Sequence, residues 1–509
     1  MRNRRSTLDT RKTVARVSGP VIRATSDEKR ATRNERLLIA LLCLVAAIRV
    51  FVFSAAFPFF NNVDEHSHFD LVFKYSRGHL PGAAIEKFDP EAAKIIAISE
   101  TGEYVNLPTN HSPAAVANTV AYRAKRNNLE TWAWPAYYML AGLWCWLGKS
   151  LGAADVRLLY WIRFLNVPLA AAFVWLSYIF PRRFFCTNLQ QRIALPVMVA
   201  FFPQDIFFAI TADILSPVVF AAAFFMLLKV WLGEKSWKYH LFAGLAVAAT
   251  FLTKVSNIAI LPLAAGVVLI KIIQAVRQKR LKQYLPSLIA FAAAAAIPVA
   301  GWLGRNYVLF GDFSGAAASI HVRTWTKKPF NEMFNHPILT PSGLFYFLTK
   351  LTKTFWRGEF VWRFEGIASP FMDWFYVISS AVLLTVSIFG FINNKTKMDK
   401  PYRLVLAASL FVVVLSVMFL AFMSMRYDFG HCFYPSRDKP YFVSGRLIAG
   451  TILPFLILYI DGLQRILSKF RCASCLLIVV AIIVAAETLS EIIITLPVFA
   501  SPYNWFHLG

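Results

Sequence analysis

Charge is scarce in this 509-residue chain: 16% of its residues are Asp, Glu, Lys or Arg, against about 25% in an average globular protein. Hydrophobic residues supply 57% and the mean hydropathy is +0.53. Apolar runs recur at about the ~20 residues that cross a bilayer, which excludes an ordinary soluble protein. Acid is scarcer than base, with 28 Asp plus Glu against 53 Lys plus Arg and a formal net charge of +25. No nucleic-acid-binding motif accompanies that excess, so nucleic acid is not an expected partner. In a membrane protein such an excess belongs first to cytoplasmic loops. Cysteine is sparse too: six residues, at 43, 145, 186, 432, 472 and 475, lie mostly in or beside apolar segments. Only Cys145 and Cys432 fall on the predicted outer face, so a disulfide framework is not expected. Cys472 and Cys475 form a CxxC without a second pair or a nearby His, which falls short of a zinc site. Walker A, dinucleotide and HExxH motifs are absent, so energy must come from the substrate or an ion gradient. Inspection finds no internal repeat of the kind many transporters carry.

The apolar runs predict an all-α polytopic integral membrane protein with about 11 transmembrane helices and juxtamembrane helices in a large first extracytoplasmic loop. Residues 1–36 carry 11 Lys or Arg against 4 Asp or Glu and lack a cleavable-signal pattern. They are expected to form a disordered cytoplasmic tail ahead of a transmembrane domain over 37–509. The first span is 37–58. Later spans fall near 156–180, 193–211, 214–233, 240–253, 256–274, 285–303, 374–392, 402–424, 447–462 and 472–494. The segment 132–148 is apolar enough to cross but rich in Trp and Tyr. Placing it along the interface keeps the basic stretches 182–192, 271–284 and 393–403 in the cytoplasm. Two long extracytoplasmic segments then remain, 59–155 and 304–373.

The densest polar cluster beside any span is Asp64, Glu65, His66, His68 and Asp70, just after the first. Two adjacent carboxylates raise each other's proton affinity, which suits one of them to take a proton from a hydroxyl nucleophile. With the histidines they are also candidate ligands of a divalent cation, and their identity as helix caps is the structural alternative. Asp213 lies at the outer end of two spans, a second acid on the same face. Lys254, Arg305 and Arg446 also fall at outer helix ends. Arginine's planar, permanently charged fork suits phosphate, although interfacial anchoring explains each residue taken singly. Arg49 and Arg163 sit within spans and need a carboxylate, a carbonyl, water or an anion. Arg49 reads as structural. For Arg163 a structural pair and a ligand contact stay open.

The loop of Asp64, Glu65, His68 and Phe69, followed by Gly78, Leu80 and Pro81, resembles the first outer loop of a bacterial membrane-protein family in the glycosyltransferase C (GT-C) superfamily. That loop reads Pro-Asp-Glu-x-x-His-Phe and then Gly-x-Leu-Pro; Val63 replaces the proline here. The stretch WPAYYMLAGLWCWLG keeps Pro135, Tyr137 and Tyr138 of the superfamily's juxtamembrane helix but lacks its His. RFLNVPLAAAF from Arg163, FFPQDIFFAITADIL with Asp213, FLTKVSN, GWLGRNYVLFGD and SGRLIAGTILP resemble the later elements, with Leu447 at a usual Tyr. The resemblance runs discontinuously over roughly 40 to 460 and does not reach the basic tail.

It implies an enzyme of the bacterial inner membrane, N-terminus inside and active site outside. Such an enzyme moves a sugar from a polyprenyl-phosphate donor to a glycan or glycolipid hydroxyl in cell-envelope modification. Asp64 and Glu65 would be the catalytic carboxylates, with His68, Arg163, Asp213, Lys254, Arg305 and Arg446 binding substrate or phosphate. The expected partners are the lipid-linked sugar, its acceptor and membrane lipid. No cofactor is assigned, and a divalent metal stays a candidate. The Phe-rich runs 201–225 and 341–364 are candidate walls for the lipid tail. Two competing functions are transport or flipping of lipid-linked saccharides, and polysaccharide polymerisation or ligation.

Overall fold

The computed structural model describes residues 26–60, 64–184, 189–393, 398–432 and 434–507. Helix α1 (Ser26–Ala56) leads into four shorter helices, α2 (Glu65–Ser76), α3 (Pro90–Ser99), α4 (Pro113–Lys125) and α5 (Pro135–Ser150). A run of helices follows: α6 (Asp155–Arg163), α7 (Asn166–Phe184), α8 (Leu189–Ala200), α9 (Leu215–Leu232), α10 (Trp237–Thr253), α11 (Ile260–Arg277) and α12 (Leu281–Phe310). Beyond it lie α13 (Ala317–Val322) and α14 (Pro341–Arg357), then α15 (Pro370–Asn393), α16 (Lys400–Arg426), α17 (Ile452–Lys469) and α18 (Leu476–Phe499). Extended structure among the described residues amounts to three two-residue antiparallel pairings, Glu86–Lys87 with Asn127–Asn128, Thr326–Lys327 with Tyr427–Asp428 and Val361–Trp362 with Glu365–Gly366. The all-α expectation holds.

Among the described residues nine helical stretches are long and apolar enough to cross a membrane. The other two of the eleven expected spans correspond to α10, with 17 residues, and α8, with 12. The 193–211 span needs correction. α8 stops at Ala200, and the chain beyond it folds as a buried loop with two short 3-10 turns, Asp205–Phe207 and Ala212–Ile214. Pro203 lacks the N–H that would continue the helix. The 156–180 span stands within Asp155–Phe184, one of the nine stretches, with a local break at Phe164 and Leu165 between α6 and α7. Pro168 sits in the first turn of α7, where a missing N–H goes unnoticed but an uninterrupted helix from Arg163 would need it. Residues 26–36, expected in a disordered tail, are the first turns of α1, while 1–25 lie outside the described residues. Most of 132–148 falls in α5, whose 16 residues pack against α2, α6 and α10.

One continuous apolar core joins the helices. α10 packs on α12 and α9, α1 on α7, and α15 on α17. Gly462 permits the last approach: a Cβ there would lie 2.0 Å from the Leu383 carbonyl oxygen. The Phe-rich run 201–225 belongs to this core, with Phe202, Phe207, Phe208, Phe220 and Phe224 buried, so it does not form an open lipid wall. In 341–364, Phe347 and Phe355 are buried, whereas Phe345 and Phe364 are exposed. Arg49 behaves as a structural residue. Its Nη2 lies 2.6 Å from Oε1 of Glu491 on α18, and Nη1 donates to the Phe202 carbonyl at 3.4 Å. A buried guanidinium is thereby neutralised inside the helix bundle.

Candidate active site

Chain direction brings the end of α1, the end of α10 and the starts of α9, α11 and the 3-10 turn Gly445–Thr451 ahead of α17 to one end of the bundle. There α2 and α5 cover it. Asp64 stands at the N-cap position of α2 with φ 65° and ψ 6°, in the left-handed region where Asp is among the more tolerated side chains. Its main-chain oxygen accepts from the N–H groups of Ser67 and His68, but its carboxylate caps nothing. That removes the structural alternative for this acid. The side chain is 40% exposed, and Oδ2 lies 3.7 Å from Nη2 of Arg446.

Arg446 reaches a second acid through its other nitrogen: Nη1 lies 3.7 Å from Oδ2 of Asp213. Asp213 is fully buried in the turn before α9. It accepts from the Thr211 hydroxyl at 3.1 Å and forms a short ion pair with the Lys254 ammonium. Lys254 joins α10 to the next turn in extended backbone, which aims its stem inward. Two carboxylates and two cations are therefore interleaved, and Asp64 is the more accessible acid.

His68 lies one turn into α2, its Nδ1 2.6 Å from the hydroxyl of Tyr138 on α5. Burial, opposed by the charges of Asp64 and Asp213, pushes its pKa down to about 4, so it is neutral at pH 7. His66 is also lowered, by burial and then by Arg123.

Glu65 and Arg163 sit behind this cluster, each 1% exposed. Arg163 donates to both carboxylate oxygens, at 2.7 and 2.9 Å through Nη2, and to the carbonyl oxygens of Ser54 and Phe57 at the end of α1. The backbone N–H groups of Phe60 and Ile210 also donate to Glu65, both at 2.9 Å. Both Glu65 oxygens are engaged, and no open face of this carboxylate adjoins Asp64. Arg305 stands apart as well. It donates to the Pro81 carbonyl and to Asn306, with its guanidinium 4.7 Å from the Trp302 ring, and thus ties α12 to the Gly78–Pro81 turn.

Three acids that the sequence did not single out face the cluster. Glu130 pairs with Arg323 at 3.1 Å. Burial and then Asp64 raise its pKa, while Arg323, Lys254 and Arg446 lower it. Its only sequence signal is a place just ahead of WPAYY. Asp205 is buried and its pKa is pushed up to about 7 by desolvation, with the Glu359 carboxylate adding to the rise. Glu359 lies in the turn after α14 and accepts from the Ser444 and Tyr434 hydroxyls.

A divalent cation does not fit this donor set. Among the described residues no three His, Cys, Asp or Glu side chains converge. Asp213 is already held by Lys254, Arg446 and Thr211, and Glu65 by Arg163. Cys43, Cys145, Cys432, Cys472 and Cys475 are free thiols, and Cys186 lies outside the described residues.

The fold and this cluster define an all-α integral membrane protein with a charge-paired cluster at one end of its helices, in which the Asp64 side chain is 40% exposed. Among solved structures the chain is similar to the oligosaccharyltransferase of Archaeoglobus fulgidus. The form in complex with Zn and sulfate is 13% identical with a TM-score of 0.44, over 88% of this chain and 52% of that one. The apo form is 12% identical with a TM-score of 0.44, over 91% and 56%. The chain thus spans about half the length of those proteins. No protein-family model matches it, and no curated protein does.

Proposed function

We propose that the protein is a membrane glycosyltransferase that moves a sugar from a polyprenyl-phosphate donor to an acceptor hydroxyl. The observation that carries this reading is the position of Arg446, within 3.7 Å of both an accessible carboxylate and a sealed one. Asp64 is an aspartate at a helix N-cap that does no capping, held in left-handed backbone. A free carboxylate beside a fixed guanidinium is what transfer from a phosphate leaving group needs: a base for the incoming hydroxyl and positive charge for the departing oxygen.

In the proposed step Asp64 takes the proton of the acceptor hydroxyl as that oxygen bonds to the anomeric carbon. The bond from that carbon to the phosphate oxygen breaks, and its electron pair leaves with the polyprenyl phosphate. One displacement inverts the anomeric configuration. Arg446 and Lys254 stabilise the leaving phosphate, and Asp213 holds both. Glu65 and Arg163 act as one buried brace that orients the Asp64 backbone, while neutral His68 and Tyr138 line the acceptor side. Arg305 fixes the Gly78–Pro81 turn at the rim, where a lipid head group would arrive. Basic residues gather at the opposite ends of the helices, among them Arg182, Arg183, Arg277, Lys279, Arg280, Lys400, Arg403, Lys469 and Arg471. That distribution supports a cytoplasmic location for that end and an extracytoplasmic site; the acceptor proposed for such a site is a cell-envelope glycan or glycolipid.

The test is release of label from a panel of radiolabelled polyprenyl-phosphate sugars by membranes containing the wild type or Asp64→Asn. Release that depends on Asp64 supports transfer and identifies the sugar. No release with any donor, from folded protein, overturns transfer in favour of transport.

A further inference from the structure

Asp205 and Gln204 have no part in the step above, yet both side chains are buried beside the charged cluster. Gln204 Nε2 donates to the carbonyl oxygens of Thr354 and Phe355, at 3.0 and 2.7 Å, in the last turn of α14. Its Oε1 accepts the N–H of Asp205 at 3.0 Å. Asp205 Oδ2 in turn accepts the N–H of Glu359 at 2.7 Å. Two adjacent side chains therefore grip both the end of α14 and the turn that leaves it. Gly358 makes the grip close. It adopts φ 82° and ψ −158°, a region open essentially to glycine, and a Cβ there would lie 2.0 Å from Asp205 Cγ.

The gripped segment holds the residues just before Arg446. The Glu359 carboxylate accepts from the Ser444 hydroxyl and, at 3.2 Å, from Tyr434. The Thr354 hydroxyl donates to the Val443 carbonyl and accepts the N–H of Gly445 at 2.9 Å. Residues 443–445 are thereby fixed from two sides, and the Arg446 side chain leaves from the end of that fixed segment.

We propose that Gln204 and Asp205 are positioning residues for Arg446, holding the α14 exit and Glu359 so that the guanidinium stays between Asp64 and Asp213, ready for a phosphate. This rests on the reading of Arg446 as the ligand of a lipid phosphate. The path from Gln204 and Asp205 through the α14 exit and Glu359 to Ser444 is continuous, each link being a buried or part-buried hydrogen bond whose loss is not fully replaced by water.

The test uses the full chain in nanodiscs, with polyprenyl monophosphate as the probe and tryptophan fluorescence reporting both binding and thermal unfolding. Arg446→Gln should abolish most binding. Asp205→Ala should weaken binding by about tenfold, the size expected for one lost buried hydrogen bond to a charged group. Asp205→Asn keeps an acceptor for the Glu359 N–H and should stay within about twofold of wild type. Asp205→Ala that unfolds at lower temperature but binds as wild type does would reduce the pair to ordinary packing and overturn the proposal. If Asp205→Ala does not fold, Ser444→Ala cuts the same path nearer Arg446: weaker binding supports positioning, and unchanged binding overturns it. A wild type that does not bind the probe, or Arg446→Gln that binds normally, overturns the phosphate reading itself. That outcome is distinct from failure of the Asp205 variants alone.

Discussion

Adjacent acids Asp64 and Glu65 should fail in opposite ways when each loses its charge. Glu65→Gln leaves the Arg163 guanidinium buried, 1% exposed, without a counter-charge. It also sets a side-chain NH2 among donors that now meet a carboxylate, namely Arg163 and the N–H groups of Phe60 and Ile210. Removing one partner of a buried pair costs roughly 3–5 kcal/mol, which for a chain of this size lowers Tm on the order of 5 °C. Asp64→Asn touches a carboxylate 40% exposed and 3.7 Å from its partner. A contact of that kind is worth about 0–1 kcal/mol, so Tm should hardly move. Turnover should follow the reverse order. Loss of a base typically lowers rate by ~100- to 10,000-fold, whereas Glu65→Gln that remains folded should keep measurable transfer. Tryptophan fluorescence on heating, paired with sugar release from the lipid at a temperature where both variants are folded, gives the two readouts. A companion Arg163→Met in the Glu65→Gln background removes the stranded charge and should recover part of the lost stability. Glu65→Gln with wild-type Tm and no turnover would refute the assignment of Glu65 to a structural pair.

Three further outcomes follow from the described contacts. Asp205 is raised to about 7 by burial, so the folded state holds its proton more tightly than the unfolded chain does. Its stabilising contribution is complete below the ordinary carboxylate range and is lost as pH rises through about 7, by ~4 kcal/mol at most; Asp205→Asn should therefore flatten the fall of Tm between pH 5 and 8, and an unchanged slope would count against this. Arg49→Met should destabilise by roughly 3–5 kcal/mol through the stranded Glu491, with the double variant Arg49→Met, Glu491→Leu partly restored, as thermal unfolding will report. Gly462→Leu places a side chain where even a Cβ lies 2.0 Å from a backbone oxygen of α15. It should cost about 1–3 kcal/mol or more, and wild-type stability would mean that α15 and α17 separate easily.

Helix positions were readable in the chain because their apolar runs are long and end in polar or basic residues. The error, at 193–211, arose where apolar composition continues through a break at Pro203; the break ahead of Pro168 lies inside the 156–180 span, which remains one membrane-length stretch. Hydropathy averages over such a residue, whereas the backbone does not. Asp64, Asp213, Lys254 and Arg446 were each legible as ionisable groups at helix ends, and the fold brings them together. What remained hidden was pairing. Nothing local in the sequence tells that Glu65 belongs to Arg163, 98 residues on, or that Arg49 belongs to Glu491, 442 residues on. Glu130, Asp205 and Glu359 were missed for the related reason that each is a single acid in a short connection. Only the meeting of distant connections gives them neighbours.

The separation between Arg49 and Glu491 also orders events during biogenesis. Arg49 enters the bilayer with α1 while most of the chain is unmade, and an arginine at the centre of a helix costs ~2.5–3.5 kcal/mol to insert. The Phe202 carbonyl, 3.4 Å from Nη1, is made well before α18, but the counter-charge of Glu491 comes only with that last helix. Glu491 then neutralises the guanidinium across the bundle, 2.6 Å from Nη2, while α18 packs on α8.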